Sequence, residues 1–342
     1  LQILDLSQIG IFSKDRPEDA PIVIGGGPCS YNPEPIADFF DLFYIGEGEI
    51  SYDELLDLYK ACKQAGKSRR EFLIEASKVP GIYVPSLYDV TYGEDGIIKS
   101  FLPNVEGVPL TVKKQVVMDL NVVPYPTKPI VPFIKVTQDR VTLEIMRGCI
   151  RGCRFCQAGM IYRPTRQKNI ETLKNYAREM IKNTGHEEIT LSSLSSSDYE
   201  ELRALTDWLI DDLGKDHVNV SLPSLRIDAF SLAVMSRVQD VKRSSLTFAP
   251  EAGSQRMRNV INKGLSEEDI INGSMEAFRG GWNRVKLYFM LGLPTETEED
   301  LAGIAELSER IAKEYYTIPK EDRNGKVSIH AAGSFFVPKP FT

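Results

Sequence analysis

Apolar positions along the chain change their pattern twice, and the changes mark out three regions. In residues 1–79 short apolar runs alternate with glycine turns: LQILDL at 1–6 predicts a buried strand, Pro21–Gly27 a second ending in three glycines, and Leu42–Ile45 a third. Pro35–Phe40 predicts a short helix, and Ser51–Gln64, apolar at Leu55, Leu56, Leu58 and Tyr59, a longer one. This rhythm is that of an open parallel sheet. Residues 80–135 are rich in proline and β-branched side chains. There Tyr88–Tyr92 and Ile97–Phe101 flank Gly93-Glu94-Asp95-Gly96, a hairpin signal, and Pro124, Pro126, Pro129 and Pro132 predict a stiff connector.

From Val141 the pattern is a regular strand–helix alternation. Strands are predicted at Val141–Met146, Glu188–Ser192, Val218–Leu222, Ser244–Ala249, Arg284–Leu291 and Lys326–Ala332. The helices between them are Ile170–Lys182, Tyr199–Leu213, Ala229–Val238, Glu267–Arg279 and Glu298–Tyr315. An eight-unit closed barrel would need more chain. The expected fold class is therefore α/β, with a partial (β/α)6 TIM-like barrel over 136–342 whose ligands sit at the C-terminal strand ends.

The first of these strands delivers Cys149, Cys153 and Cys156, spaced C-x3-C-x2-C, with no other cysteine within eighty residues. Three thiolates on one loop can hold three corners of a 4Fe–4S cluster and leave one iron open, as a metal that binds substrate must be. A zinc knuckle would want a fourth Cys or His nearby, and His186 is thirty residues away. A disulfide would leave an odd thiol. Gly148 and Gly152 each precede a cysteine and let backbone N–H groups approach the sulfurs.

Composition narrows this further. The 342 residues carry a net charge of −7, which argues against generic nucleic-acid affinity. No apolar run approaches the roughly eighteen residues that span a bilayer, so no membrane partner is expected. Five cysteines, three of them clustered, suit a reducing interior, and a cytoplasmic location is expected. The chain starts at Leu1 and stops at Thr342 straight after a strand-like run, and reads as a piece of a longer protein. Arg147, Arg151, Arg154, Arg163, Arg166 and Lys168 form a stretch without acids. They offset cluster and thiolate charge or lie solvated, which is the favoured reading, or they receive an anionic substrate such as a phosphate-bearing one.

With Phe155 at its aromatic position, the cysteine stretch resembles the CxxxCxΦC signature of the radical S-adenosylmethionine (SAM) enzymes. That resemblance implies an open iron that chelates the amino and carboxylate groups of SAM. It implies one-electron cleavage to a 5′-deoxyadenosyl radical, and a reductant of the flavodoxin or ferredoxin type. Pro21–Gly27 and Gly46-Glu47-Gly48-Glu49, ahead of such a signature, resemble the C-terminal half of a cobalamin-binding Rossmann-like domain. Cobalamin is then a candidate cofactor, with Gly25, Gly26 and Gly27 facing its tail. The implied organisation is a partial cobalamin-binding-like domain at 1–79, a hairpin insert and linker at 80–135, and a radical SAM core at 136–342. The chain departs from that pattern in having no Asp-x-His-x-x-Gly loop. Its histidines are His186, His217 and His330. That loop lies in a preceding segment, or cobalamin binds without it, or cobalamin does not bind. The whole is similar to a bacterial family of radical SAM proteins with an N-terminal cobalamin-type domain.

The strand ends supply the remaining candidates. Ser193 and Ser195 follow the second strand, where the resemblance places the polar ends of SAM; Ser197 or Asp198 can instead cap the next helix. Arg226, after the third strand, can pair with the SAM carboxylate or with Asp228 or Glu251. Glu251, in an otherwise small and apolar run, wants a hydroxyl or cation, which by resemblance is the SAM ribose or Arg226. Gly292, in Gly292-Leu293-Pro294-Thr295-Glu296-Thr297, resembles the turn that borders adenine, and Thr295 or Thr297 doubles as a helix cap. Phe155 and Tyr162 are candidate adenine contacts or core residues.

The expected activity is a radical SAM reaction, with methylation or a related C–H modification as the leading class. Methylthio transfer needs a second cluster, for which Cys29 and Cys62 are too few and too far apart. A non-catalytic iron–sulfur carrier or sensor is the alternative from another class. No side-chain pattern selects nucleic acid, peptide, lipid or small molecule as substrate.

Overall fold

The apolar runs after residue 140 become strands because amphipathic helices follow to cover them. In the computed structural model, which describes residues 1–134, 136–221, 227 and 246–342, Val141–Glu144, Glu188–Ser192 and Asn219–Ser221 form a parallel sheet with Glu188–Ser192 in the middle. Leu246–Glu251, Arg284–Leu291 and Ser328–Phe335 form a second parallel sheet in the same sequential order. Leu143, Ile189 and Leu191 of the first sheet pack on Leu173 and Ala177 of helix Ile170–Thr184 and Leu205 and Leu209 of helix Leu202–Leu213. Phe248, Leu287 and Phe289 of the second pack on Ile270 and Phe278 of helix Glu267–Arg279 and Ile311 and Tyr315 of helix Glu298–Tyr315. Three of these helices start where the sequence supplies a side-chain acceptor. Asn169 takes the Thr172 N–H at 2.8 Å, and Ser266 and Thr297 make capping boxes with Asp269 and Asp300.

Residues 1–118 and 119–342 form two compact units. In the first, Leu42–Tyr44 pairs parallel with Ile24–Gly25 and antiparallel with Ile82–Tyr83. Helices Tyr52–Gln64 and Arg69–Ala76 cover this small sheet through Leu55, Phe72 and Leu73. The hairpin pairs Tyr88–Tyr92 with Ile98–Pro103 and belongs to this unit. The sequence reading placed boundaries at 79/80 and 135/136; the compact units divide at 118/119.

One prediction is corrected outright. Residues 1–6 are not a buried strand: Gln2–Leu6 is a helix without a buried residue, and Ile3 and Leu6 are exposed. A six-residue apolar run has no period of its own to separate strand from helix, and no neighbouring strand pairs with it. The predicted helix Ala229–Val238 lies outside the described residues. No helix among the described residues is long and apolar enough to cross a membrane.

Candidate active site

The cysteine loop is closed at its base and clamped from both sides. Beyond Val141–Glu144 the chain forms a short antiparallel ladder, Met146–Arg147 with Arg166–Gln167, and the cysteines lie between its two arms. Gly148 makes the turn into the loop at φ +83°, where an added Cβ would lie 2.6 Å from the Tyr162 carbonyl oxygen. The Arg151 N–H donates to Cys149 Sγ at 3.4 Å and the Gly159 N–H to Cys156 Sγ at 3.3 Å, so Cys156 caps helix Gln157–Ile161. Arg151, between the first two cysteines, forms a two-point ion pair with Asp198 beyond the second strand. From the other side, the Asn262 amide donates to the Gly152 carbonyl at 2.7 Å, and the Arg154 N–H to the Ile261 carbonyl at 2.9 Å.

The basic stretch divides: Arg154 and Arg163 are exposed, whereas Arg147, Arg151, Arg166 and Lys168 are half-buried or buried and held by partners within the protein. Arg147 bonds Glu144 at 2.8 and 3.0 Å, and buried Lys168 reaches the same carboxylate at 3.3 Å and lies 4.4 Å from the Tyr125 ring centre. Buried Arg166 donates to the carbonyls of Pro164 and Tyr162, Arg154 to that of Val260, and Arg163 to that of Arg151. These cations build the loop. Burial pushes the Glu144 carboxyl up, but the charges of Arg147 and Lys168 outweigh it and leave the group below its ordinary value.

The tips of the later strands wall the loop. Phe155 packs against Ala252, Met257, Ile261 and Leu293, together with Met290 and Phe336. Glu251 follows a bulge in the fourth strand at φ +68°, and Thr295 and Asn262 also have positive φ. Such backbone is costly for non-glycine residues and gathers where side chains must be aimed. Glu251 pairs with Lys263 at 3.2 Å, and the same ammonium lies 5.9 Å from the Phe155 ring centre. A Cβ on Gly253 would meet the Ile304 nitrogen at 2.3 Å, so this turn rests directly on helix Glu298–Tyr315. In that helix Asp300 accepts from Ser254, Arg256 and Thr297, and the Arg256 guanidinium holds its carboxyl well below the usual carboxylate range.

The expected site residues divide accordingly. Cys149, Cys153, Cys156 and Phe155 share the clamped loop; Tyr162 ends its helix, half-buried. Ser193 shares a 3.0 Å hydrogen bond with Ser196, whereas the buried Ser195 Oγ has no partner among the described residues. Such a hydroxyl costs free energy until something fills it. Asp198 does not cap the following helix, which starts at Leu202; it holds Arg151. Arg226 lies outside the described residues; among the described residues Lys263 is a cation that pairs with Glu251. The Gly292 N–H donates to Glu296 at 2.6 Å, while Thr297 caps its helix as expected. Gly25 owes its lack of a side chain to Phe43, whose ring would lie 2.4 Å from a Cβ there, and Gly26 and Gly27 face open space. Asn262 and Lys263 were not foreseen, and only the turn-prone run Asn262-Lys263-Gly264 hinted at them.

Among the described residues no three His, Cys, Asp or Glu side chains gather around a single ion, as a zinc site with Zn–S bonds of about 2.3 Å requires. A cubane places each thiolate on a different iron, which suits sulfurs strung along a loop, and N–H bonds to sulfur are what such clusters use for tuning. The donor set fits the cluster.

A parallel α/β core with a three-thiol loop at its strand tips defines the class of protein. A family model for the N-terminal region of radical SAM proteins matches residues 1–85, and one for the radical SAM superfamily matches residues 143–308. The chain belongs to the radical SAM superfamily, a family that implies SAM and a 4Fe–4S cluster. Uncharacterized protein MJ0966 of Methanocaldococcus jannaschii is 34% identical over 332 residues, covering 96% of this chain and 63% of that protein. MJ0865 of the same organism, provisionally named a methylthiotransferase, is 25% identical over 169 residues, covering 47% of this chain and 37% of that protein. Among solved structures, the cobalamin-dependent SAM radical enzyme OxsB with aqua-cobalamin bound superposes with a TM-score of 0.58 at 18% identity, over 95% of this chain and 46% of that one. The radical SAM methyltransferase TsrM of Kitasatospora setae, with cobalamin and a 4Fe–4S cluster bound, gives 0.53 at 14%, over 86% and 53%. Both are likenesses of fold. The chain thus spans less than two thirds of each of these relatives.

Proposed function

We propose that this chain carries the catalytic core of a radical SAM enzyme, in which Cys149, Cys153 and Cys156 hold a 4Fe–4S cluster and the strand tips receive SAM. The observation that carries the reading is the clamped loop: three thiols between Asp198 on one side and Asn262 on the other, two sulfurs already taking N–H bonds. When bound, the cluster and SAM supply reductive cleavage and a carbon radical able to take hydrogen from an unactivated C–H bond. The chain's own part is placement and exclusion of water. The Ser195 hydroxyl, without a partner among the described residues, would take a polar end of SAM, and Glu251, paired with Lys263, would accept from hydroxyls. Phe155 and its apolar neighbours keep solvent from that face.

The reaction class proposed is methylation or a related C–H modification, transferase chemistry, with cobalamin as assistant on the open face of Gly26 and Gly27. Residues 1–118 contain no histidine, so none of them offers cobalt an imidazole. Methylthio transfer, which the match to MJ0865 favours, needs a second cluster, and residues 1–118 offer only exposed Cys29 and buried Cys62.

The test is anaerobic reconstitution of the full-length protein with iron, sulfide and cobalamin, followed by metal analysis and incubation with SAM and a reductant. Iron–sulfur absorbance together with 5′-deoxyadenosine is the expected result. An intact cluster that never cleaves SAM would overturn the enzyme and leave an electron carrier.

A further inference from the structure

We infer that the N-terminal unit holds a second small-molecule site, for an organic anion with a flat apolar body, at the sheet edge opposite its glycine turn. Gly25–Gly27 lie at the C-terminal end of strand Ile24–Gly25, the edge where open α/β sheets usually bind ligands. Asp41 precedes the parallel strand Leu42–Tyr44, and Tyr83 ends its antiparallel neighbour, so both stand at the other edge. A cavity of about 690 Å³ opens there, lined by both, and pockets of roughly 300–1,000 Å³ hold small organic ligands.

The floor of this cavity is cationic. Arg16 and Arg69 share the single carboxylate of Asp41, at 2.9 and 2.6 Å; the Arg16 and Asp41 side chains are fully buried and that of Arg69 is 9% exposed. Two cations against one anion leave the triad with a net positive charge at the cavity floor, where Arg16 also donates to the carbonyls of Gly10, Ile11 and Phe39. The Arg69 guanidinium also donates to the Ala20 and Pro21 carbonyls, but its Nε is buried with no acceptor. That Nε has no accessible surface, so an incoming anion would meet the net charge of the triad rather than this N–H. At the rim, exposed Arg70 and Lys14 carry no ion pair among the described residues, and half-buried Phe40 with exposed Phe12 and Tyr92 supply ring surface. The carboxylates present do not fill the floor. Glu34 accepts the Tyr83 hydroxyl, Glu18 accepts the Arg69 backbone N–H at 2.7 Å, and Asp38 is exposed. The site therefore takes its ligand acid-end inward, with the flat body on the rings.

The experiment is ligand-observed NMR and thermal melting of the full-length protein with benzoate, phenyl phosphate and neutral benzamide at fixed ionic strength. Saturable binding and a raised melting temperature with benzoate or phenyl phosphate, but not with benzamide, is expected; the stronger of the two tells carboxylate from phosphate. Arg69→Gln breaks the buried triad and can unfold the unit, so the deciding variant is exposed Arg70→Ala, expected to weaken binding about fivefold, the scale of one exposed charge contact. Its melting temperature without ligand should match the parent. Failure of both anions to saturate, equal binding of benzamide, or unchanged affinity in Arg70→Ala would overturn the site.

Discussion

The cysteine loop and the glycine turn are the two places where the sequence promised a cofactor, and the fold treats them differently. Arg151, Gly152 and Arg154 of the loop are each gripped by a residue distant in sequence, Asp198 beyond the second strand and Asn262 and Ile261 after helix Gln255–Val260, and two of its sulfurs are hydrogen-bonded. Gly26 and Gly27 have nothing within 4 Å of where a side chain would begin, and Gly25 is explained by the rings of Phe43 and Phe40. A spacing motif of three reactive side chains demands surroundings that hold it in place. A glycine run demands only that nothing be there, and that is compatible with a plain turn.

The largest test of this contrast removes a thiol. Cys153→Ala is expected to abolish the broad visible absorbance of anaerobically reconstituted protein, because two thiolates cannot hold a cubane open at one iron only. A spectrum equal to the parent's would remove Cys153 from the ligand set and with it the main difference between loop and turn.

Backbone substitutions sharpen the same contrast without touching a ligand. Gly148→Ala forces a Cβ against the Tyr162 carbonyl at positive φ, and a loss of about 3 kcal/mol is expected in anaerobic urea titration of the apo-protein, together with reduced cluster uptake. Gly26→Ala, where the space is open and φ is not positive, is expected to leave stability within about 0.5 kcal/mol. Equal losses at the two positions would mean that the loop is no more constrained than the turn.

How far the sequence could be read follows from the range of the interactions. Glu188–Ser192, Glu267–Arg279, Arg284–Leu291 and Glu298–Tyr315 were legible to the residue, because period and caps are local properties. Helix Arg69–Ala76 could have been found, since Ser68 and Glu71 spell a capping box. The thiols were legible because their chemistry lies in their spacing. Their clamps were not: Asn262 reaches Gly152 across 110 residues, and Asp198 reads locally as a cap until the fold brings Arg151 to it. The cations at 147–168 were legible in part for the same reason. Arg154 and Arg163 are exposed as expected, whereas Arg151 and Lys168 meet Asp198 and Glu144 only across the fold.

The smallest effect concerns the charges at the base of the loop, a device the glycine turn lacks. Glu144 is some 30% exposed and bound by Arg147 and Lys168. Burial alone would raise its pKa, yet the two cations lower it below the ordinary value of 4.5 that the unfolded chain keeps. The folded state therefore favours the ionised form. The resulting stability is fully present above the unfolded value and is lost as pH falls through the lowered folded one. Glu144→Gln is expected to cost about 1 kcal/mol at neutral pH, the scale of a partly exposed ion pair. That deficit should shrink towards zero as anaerobic urea titrations are taken down to the acid limb. Gly26→Ala, with no titratable group in Gly25–Gly27, should run parallel to the parent at every pH. A deficit in Glu144→Gln that stays constant into acid would show that the glutamate acts at the loop by shape, and the charge-built base would have to be abandoned.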